Sequence, residues 1–221
     1  ILSCLYEGPQ LPMDKALAVE SKYFTQLQID PVSRNMIRTL FINKGKADKL
    51  MHRPEGIPKT SFRKIGVVGA GLMGAGIAFH CAKLGIETVL IDRDQAAADK
   101  GKAYSSKRLE RDISRGRSTQ DKADAILARI HPTTDYATLA DVELVVEAVF
   151  EDRALKADIT RKLDAVLAPH AVIASNTSAL PISELAEAGA HPENFIGMHF
   201  FSPVERMPLV EVIRGQLTSD A

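Results

Sequence analysis

"KIGVVGAGLMGAGIAFHCAKLGIETVLIDRD" occupies residues Lys64 to Asp94. It opens on a short apolar run and passes through Gly69-x-Gly71-x-x-Gly74. A small-residue helix pattern follows, closed by Gly85, and then a second apolar run that ends on Asp92. Strand, glycine loop, helix, strand and acid in that order form the pattern of a dinucleotide-binding βαβ unit. Gly69 allows the tight turn, Gly71 lets the backbone approach a pyrophosphate, and Gly74 lets the helix lie close to the sheet. The amides around Leu72 and Met73 then point at the anion from a helix N-terminus. A carboxylate at Asp92 accepts hydrogen bonds from the adenosine ribose hydroxyls and repels a 2′-phosphate, which favours NAD over NADP. A glycine-rich turn without a ligand is the alternative reading, and Arg93 runs against the cofactor preference. Asp94 reads as a helix cap rather than a ligand contact.

Outward from this unit, strand and helix patterns alternate. "VELVVEAV" is an apolar strand and "DRALKADITRKLDAVL" a helix. "AVIASN" is a strand, "ISELAEA" a short helix, and "NFIGMHFF" and "LVEVIRG" are further strands. Residues 95–117 read as a long polar helix. Alternation of this kind predicts an α/β fold with a doubly wound, mostly parallel, Rossmann-like sheet. Before it, Ile1 to about Met51 is helical and amphipathic, with Pro31 placed near a helix N-terminus. "KGKADKLMHRPEGIPKTSF" is rich in Lys, Gly and Pro and reads as a linker. The expected division is therefore 1–62, a helical and linker segment, and 63–221, the dinucleotide-binding domain.

The bulk composition narrows the function. The 221 residues are 45% apolar, with 28 basic against 28 acidic side chains and no net charge. No basic excess points to nucleic acid or to an anionic membrane surface. No apolar run approaches the roughly 20 residues of a membrane helix. Cys4 and Cys81 form neither a disulfide framework nor a metal-ligand spacing, which fits a reducing, intracellular setting. Ile1 is no initiator methionine, and Ser219-Asp220-Ala221 follows closely on an apolar run. Both ends thus read as interior points of a longer protein.

Two further stretches carry the chemistry: "SNTSALPI" from Ser175 and "GMHFFSPVERMPLVEVIRG" from Gly197. Each sits at the C-terminal end of a predicted strand, the edge where open parallel sheets bind ligands. Oxidation of an alcohol needs a base for the hydroxyl proton, and histidine titrates near neutrality. His52 lies in the linker, His80 within the first helix, and His131, His170 and His191 beside turns or prolines. Only His199 lies at a strand end on the cofactor edge. Glu211 is placed to return along a neighbouring strand and hold the other ring nitrogen. On spacing alone, a structural His–Glu pair satisfies the pattern equally well.

"GAGLMGAGIA", "VVEAVFED", "SNTSALPI" and "HFFSPVERMPLVEVI" together resemble the NAD-binding domain of the 3-hydroxyacyl-CoA dehydrogenases. The resemblance covers about Arg63 to Gly215. It implies NAD as cofactor and His199 as catalytic base, with Glu211 as its partner. It gives Asp92 to the adenosine ribose, and Gly69, Gly71, Met73 and Gly74 to the pyrophosphate loop. Val149, Phe150 and Glu151 fall at the strand end beside the nicotinamide half, and Lys156 matches a lysine reaching the nicotinamide ribose. Ser178 matches a serine near the nicotinamide and the substrate oxygen. Many members carry Asn where this chain has Ser202; a hydroxyl donates one hydrogen bond but does not bridge two groups as an amide does. Glu147 reads as an ordinary strand residue, and Lys156, without the resemblance, as a solvated helix lysine.

The preceding "YEGPQLPMDKALAVESKYFTQLQIDPVSRNMIRTLF" is similar to the end of an enoyl-CoA hydratase module with its linker helix. This is the arrangement of multifunctional β-oxidation enzymes, particularly bacterial alpha subunits. The resemblance implies an acyl-CoA substrate, a helical dehydrogenase domain beyond residue 221, and an oligomeric parent, with a thiolase subunit as partner. It implies a cytoplasmic setting in a bacterium, and mitochondria or peroxisomes in a eukaryote.

Overall fold

Residues 1–51 and 53–220 are described by a computed structural model, so His52 lies outside the described residues. The chain divides into two units, Ile1–Pro58 and Lys59–Ala221. The first is a run of helices: α1 (Leu2–Glu7), α2 (Met13–Ile29), α3 (Pro31–Ile37), a π-helical turn Arg38–Asn43, and α4 (Lys44–Asp48). Asp30 sets the start of α3, because its carboxylate accepts from Val32 N at 2.7 Å and Pro31 fits the first helical position. Helix α4 extends into the stretch read as linker; its Lys44–Asp48 pair, one helical turn apart at 2.7 Å, supports it there. Among the described residues of this unit, Gly8 alone is buried.

The second unit is built on seven strands: β1 (Lys64–Val68), β2 (Glu87–Ile91), β3 (Ile130–Thr133), β4 (Leu144–Glu147), β5 (Val172–Ser175), β6 (Phe195–Phe200) and β7 (Val210–Arg214). Among the described residues five α-helices accompany them: α5 (Leu72–Lys83), α6 (Gln95–Ser114), α7 (Gln120–Ala128), α8 (Arg153–Asp164) and α9 (Ile182–Ala186). The strand order is β3-β2-β1-β4-β5-β6-β7. All neighbours are parallel except β6 and β7, which are antiparallel. From β1 the chain winds outward through β2 and β3, then crosses back to lay β4 on the other side. The carboxyl ends of β1 and β4 therefore flank the point where winding reverses, and a crevice forms there.

Strands β1, β2, β4 and β5 read as continuous apolar runs because both sheet faces are covered over them, whereas β7 at the far edge is exposed throughout. Alternate residues serve opposite faces. Val68, Ile91, Val145 and Ile173 join one core cluster with Ile159 and Leu163 of α8. Val67, Leu90, Val146 and Ala174 join the other with Ile77 and Ala78 of α5. Asp94 caps α6 through its carboxylate, which accepts from Ala97 N at 2.8 Å. The sequence patterns miss α7 and β3. Strand β3 is four residues long, sits at the sheet edge and contains Pro132, so it lacks the apolar run of an interior strand. Among the described residues, no helix is long and apolar enough to cross a membrane.

Candidate active site

The turn from β1 into α5 is shaped by the chain at two of its three glycines. Gly69 has φ +98°, and a Cβ there would lie 2.6 Å from the Ala148 carbonyl oxygen. A Cβ on Gly74 would fall 1.7 Å from the Gly69 oxygen. Gly71 is different. Its φ of −66° suits any residue, and a Cβ on it would meet nothing within 4 Å. Nothing in the polypeptide requires glycine at 71, and open space lies over it at the start of α5. No side chain caps this helix, so its first amides are available to an anion. Met73 is partly buried against the α5-side core. A pyrophosphate fits this cradle, and the missing side chain at 71 is the observation that says so.

Asp92 lies just past β2, beside the loop. One carboxylate oxygen accepts from Ala70 N at 2.6 Å and the other from Arg93 N at 2.7 Å. The acid thus ties the end of β2 to the glycine turn.

At the end of β4 the chain turns outward. Val149 packs against the α8-side core, Phe150 is 85% exposed, and Asp152 caps α8 by accepting from Leu155 N at 2.8 Å. Two residues differ from their sequence reading. Glu147 is no ordinary strand position: its carboxylate is buried and accepts from Val149 N, Ser175 Oγ and the Lys156 ammonium. Lys156 is no solvated lysine but is 2% exposed, held by Glu147 at 2.8 Å and 3.4 Å from Glu151. A carboxylate in a strand covered on both faces demands a cation or several donors, and α8 brings the lysine. Glu151 in turn accepts from the Thr177 hydroxyl and from the amides of Ser178 at 3.0 Å and Ala179 at 3.2 Å. Partial burial pushes the Glu151 carboxyl up, but the Thr177 hydroxyl, the Ala179 amide, Lys156 and the Ser178 amide outweigh it. The carboxyl lies below its ordinary value.

The remaining residues gather at β5, β6 and β7. His199 and Glu211 face each other directly in the antiparallel ladder. Nδ1 of His199 lies 2.8 Å from Glu211 Oε2, and Nε2 lies 3.2 Å from Ser178 Oγ. With Nδ1–H donating to the carboxylate, Nε2 carries the lone pair and accepts from the serine. The Phe201 ring packs against the imidazole, its centroid 4.8 Å away and tilted by 50°. Asn176 Oδ1 accepts from Phe200 N at 2.8 Å and fixes the end of β6 against the turn after β5. Ser202 is exposed in the turn that follows β6, which Val204 and the Glu205–Arg108 ion pair fasten to the rest of the domain.

The structure thus groups Gly69, Gly71, Met73, Gly74 and Asp92 at one side of the crevice. It groups Ser178, His199 and Glu211 at the other, with Val149, Phe150, Glu151 and Lys156 on the turn and helix after β4, the strand between. Sequence reasoning gave no role to Glu147, Ser175, Asn176 or Thr177. The signal for the last three was their place in the quoted "SNTS" run, and for Glu147 its charge within an apolar strand. As chemistry, an imidazole whose Nε2 lone pair faces a hydroxyl, with a carboxylate behind it, can take a proton from an alcohol.

Residues 64–221 match the family model described as "3-hydroxyacyl-CoA dehydrogenase, NAD binding domain". The fold is similar to that of (S)-3-hydroxybutyryl-CoA dehydrogenase from Ralstonia eutropha, with 43% identity over 72% of this chain and 56% of that one and a TM-score of 0.70. It is similar to 3-hydroxybutyryl-CoA dehydrogenase from Escherichia coli K12, with 34% identity, 72% and 34% coverage and a TM-score of 0.70. The dehydrogenase part of multifunctional enzyme 1 from C. elegans gives 30% identity, 73% and 37% coverage and a TM-score of 0.65. The match thus spans between about a third and just over half of these relatives' length. With the glycine cradle, the acid after β2 and this likeness all falling in one domain, the chain belongs to the 3-hydroxyacyl-CoA dehydrogenase family and contains its NAD-binding domain.

Proposed function

We propose that the protein oxidises an (S)-3-hydroxyacyl-CoA to the 3-ketoacyl-CoA, as a step of fatty-acid β-oxidation. The observation that carries this reading is the Ser178–His199–Glu211 line, set at the same sheet edge as the glycine cradle. In this reading His199 Nε2 takes the hydroxyl proton, and Glu211 holds the ring and balances the imidazolium. Ser178 orients the substrate oxygen, and Val149, Phe150, Glu151 and Lys156 line the nicotinamide half of the crevice. Ser202 makes one hydrogen bond at the cofactor's edge. NAD, when bound, supplies the hydride acceptor.

The resemblance of residues 6–41 to the end of a hydratase module supports a bifunctional hydratase–dehydrogenase parent. In that parent, residues 1–62 join the two activities, a helical domain closes the acyl-CoA cleft, and a thiolase subunit is the partner; the setting is the bacterial cytoplasm. An NAD-linked dehydrogenase for another hydroxy acid, or a nucleotide-binding module without catalysis, are the competing readings. The His–Glu pair disfavours the second, since a binding module has no use for a base. The test is NADH formation by the full-length protein from 3-hydroxyacyl-CoA substrates of short and long chain. NAD-dependent turnover of at least one of them is expected. NAD binding without turnover of any would overturn the proposal.

A further inference from the structure

Glu147 has no part in the reaction as described, yet it is among the most heavily bonded side chains of the domain. It is 3% exposed at the carboxyl end of β4. Val149 N at 2.8 Å, Ser175 Oγ at 2.7 Å and Lys156 Nζ at 2.8 and 3.0 Å fix its two oxygens. An ammonium has three N–H donors. With Nζ in reach of both Glu147 oxygens, its remaining reach is toward Glu151 Oε2, 3.4 Å away. Glu151, on an exposed turn, grips Thr177 Oγ1 and the amides of Ser178 and Ala179. Ser178 Oγ then meets His199 Nε2 at 3.2 Å. A pair serving burial alone would end at Lys156; this one continues, contact by contact, to the imidazole.

We propose that Glu147 is a positioning residue for the Ser178–His199 pair. Its buried carboxylate fixes Lys156, Lys156 steadies Glu151, and Glu151 holds the turn that presents Ser178 to the histidine. The carboxylate cannot swing, because donors from three directions hold it, so the place of a flexible lysine head is set by the sheet itself. The exposed end of the line inherits that rigidity. The importance assigned to the turn rests on the functional reading above; the mechanical link from Glu147 to the turn does not.

The test uses the full-length protein and two readouts. The first is amide hydrogen exchange at Ser178 and Ala179 in the cofactor-free protein. The second is kcat against NAD affinity. Glu147→Gln should speed exchange at both amides and lower kcat by about 10–10² while leaving NAD affinity within a few-fold, since misplacement by about an ångström has effects of this size. That variant leaves a buried ammonium short of charge and is liable to unfold. Glu147→Met combined with Lys156→Met removes both charges, a replacement that buried pairs tolerate; it should fold and still show the faster exchange. Thr177→Val, at the far end of the line, should lower kcat with NAD affinity unchanged. Parental exchange at Ser178 and Ala179 in the folded double variant overturns the proposal. If the double variant does not fold, Thr177→Val decides, and parental exchange with parental kcat there overturns it. Absence of 3-hydroxyacyl-CoA turnover in the parent would sink the functional reading, and the exchange result would still decide this one.

Discussion

At the β1 side of the crevice the site is made of backbone: a turn without side chains at 69, 71 and 74, and the uncapped start of α5. At the β5–β7 side it is made of side chains that carry or move charge, with His199 between Ser178 and Glu211. The first region can only hold a ligand. The second can change protonation, and it does so from strands whose register is fixed by the ladder. In the proposed function, binding and chemistry fall on separate stretches of the same sheet edge, and one should be breakable without the other.

The largest expected effect is at the chemical side. His199→Ala should lower kcat by about 10²–10⁴-fold, the usual worth of a general base, with NAD affinity nearly intact. Near-parental turnover would place the base elsewhere. At the binding side, two glycines sharpen the contrast within a single loop. Gly74→Ala forces a Cβ onto the Gly69 oxygen and should cost about 1–3 kcal/mol of stability or more, read by denaturant melting. Gly71→Ala meets no protein atom and should leave stability within about 0.5 kcal/mol. Its methyl enters the ligand's space, so NAD affinity should fall about tenfold, roughly 1.4 kcal/mol. Equal effects of the two changes on stability would contradict the assignment of open space at 71.

Smaller again is the effect at Asp92. Asp92→Ser should weaken NAD binding and narrow its margin over NADP, as measured by titration of both cofactors, because the charge that repels a 2′-phosphate is gone. The smallest effect concerns pH. Glu151 has a folded pKa below its ordinary 4.5. Its contribution to stability is therefore present above the unfolded value and lost as pH falls through the lower, folded value. Acid melting curves of the parent and of Glu151→Gln should converge at low pH and separate above it. Curves that stay parallel throughout would remove Glu151 from the account of the turn.

The strands β1, β2, β4 and β5 were legible because each is a short apolar run, which a sheet covered on both faces requires, and β6 and β7 were legible as apolar runs as well, although β7 is exposed. Strand β3 was not legible, since an edge strand with a proline carries no such signature. For the site, strand ends selected His199 from six histidines, because the fold itself concentrates ligands at that edge. Glu147 was read as an ordinary strand residue for an instructive reason. A glutamate in "VELVVEAV" looks like one polar residue in an alternating strand, but an interior parallel strand has no solvent face to give it. Such a charge must find its partner in the next covering element, and here that element is α8 with Lys156.

The pairing of His199 with Glu211 across β6 and β7 bears on how this domain can change over generations. The two residues are twelve positions apart in the chain and joined by an irregular connection, yet their spacing depends on ladder register and not on the length of that connection. Insertions or deletions confined to the connection leave the pair opposed, whereas a single-residue shift within either strand turns every side chain to the wrong face. Drift is therefore open to residues 206–209 of the connection and closed to the ladder and to Phe201, Ser202, Val204 and Glu205, which pack or fasten the turn. A designer grafting new specificity onto this domain would vary the former and leave the latter untouched.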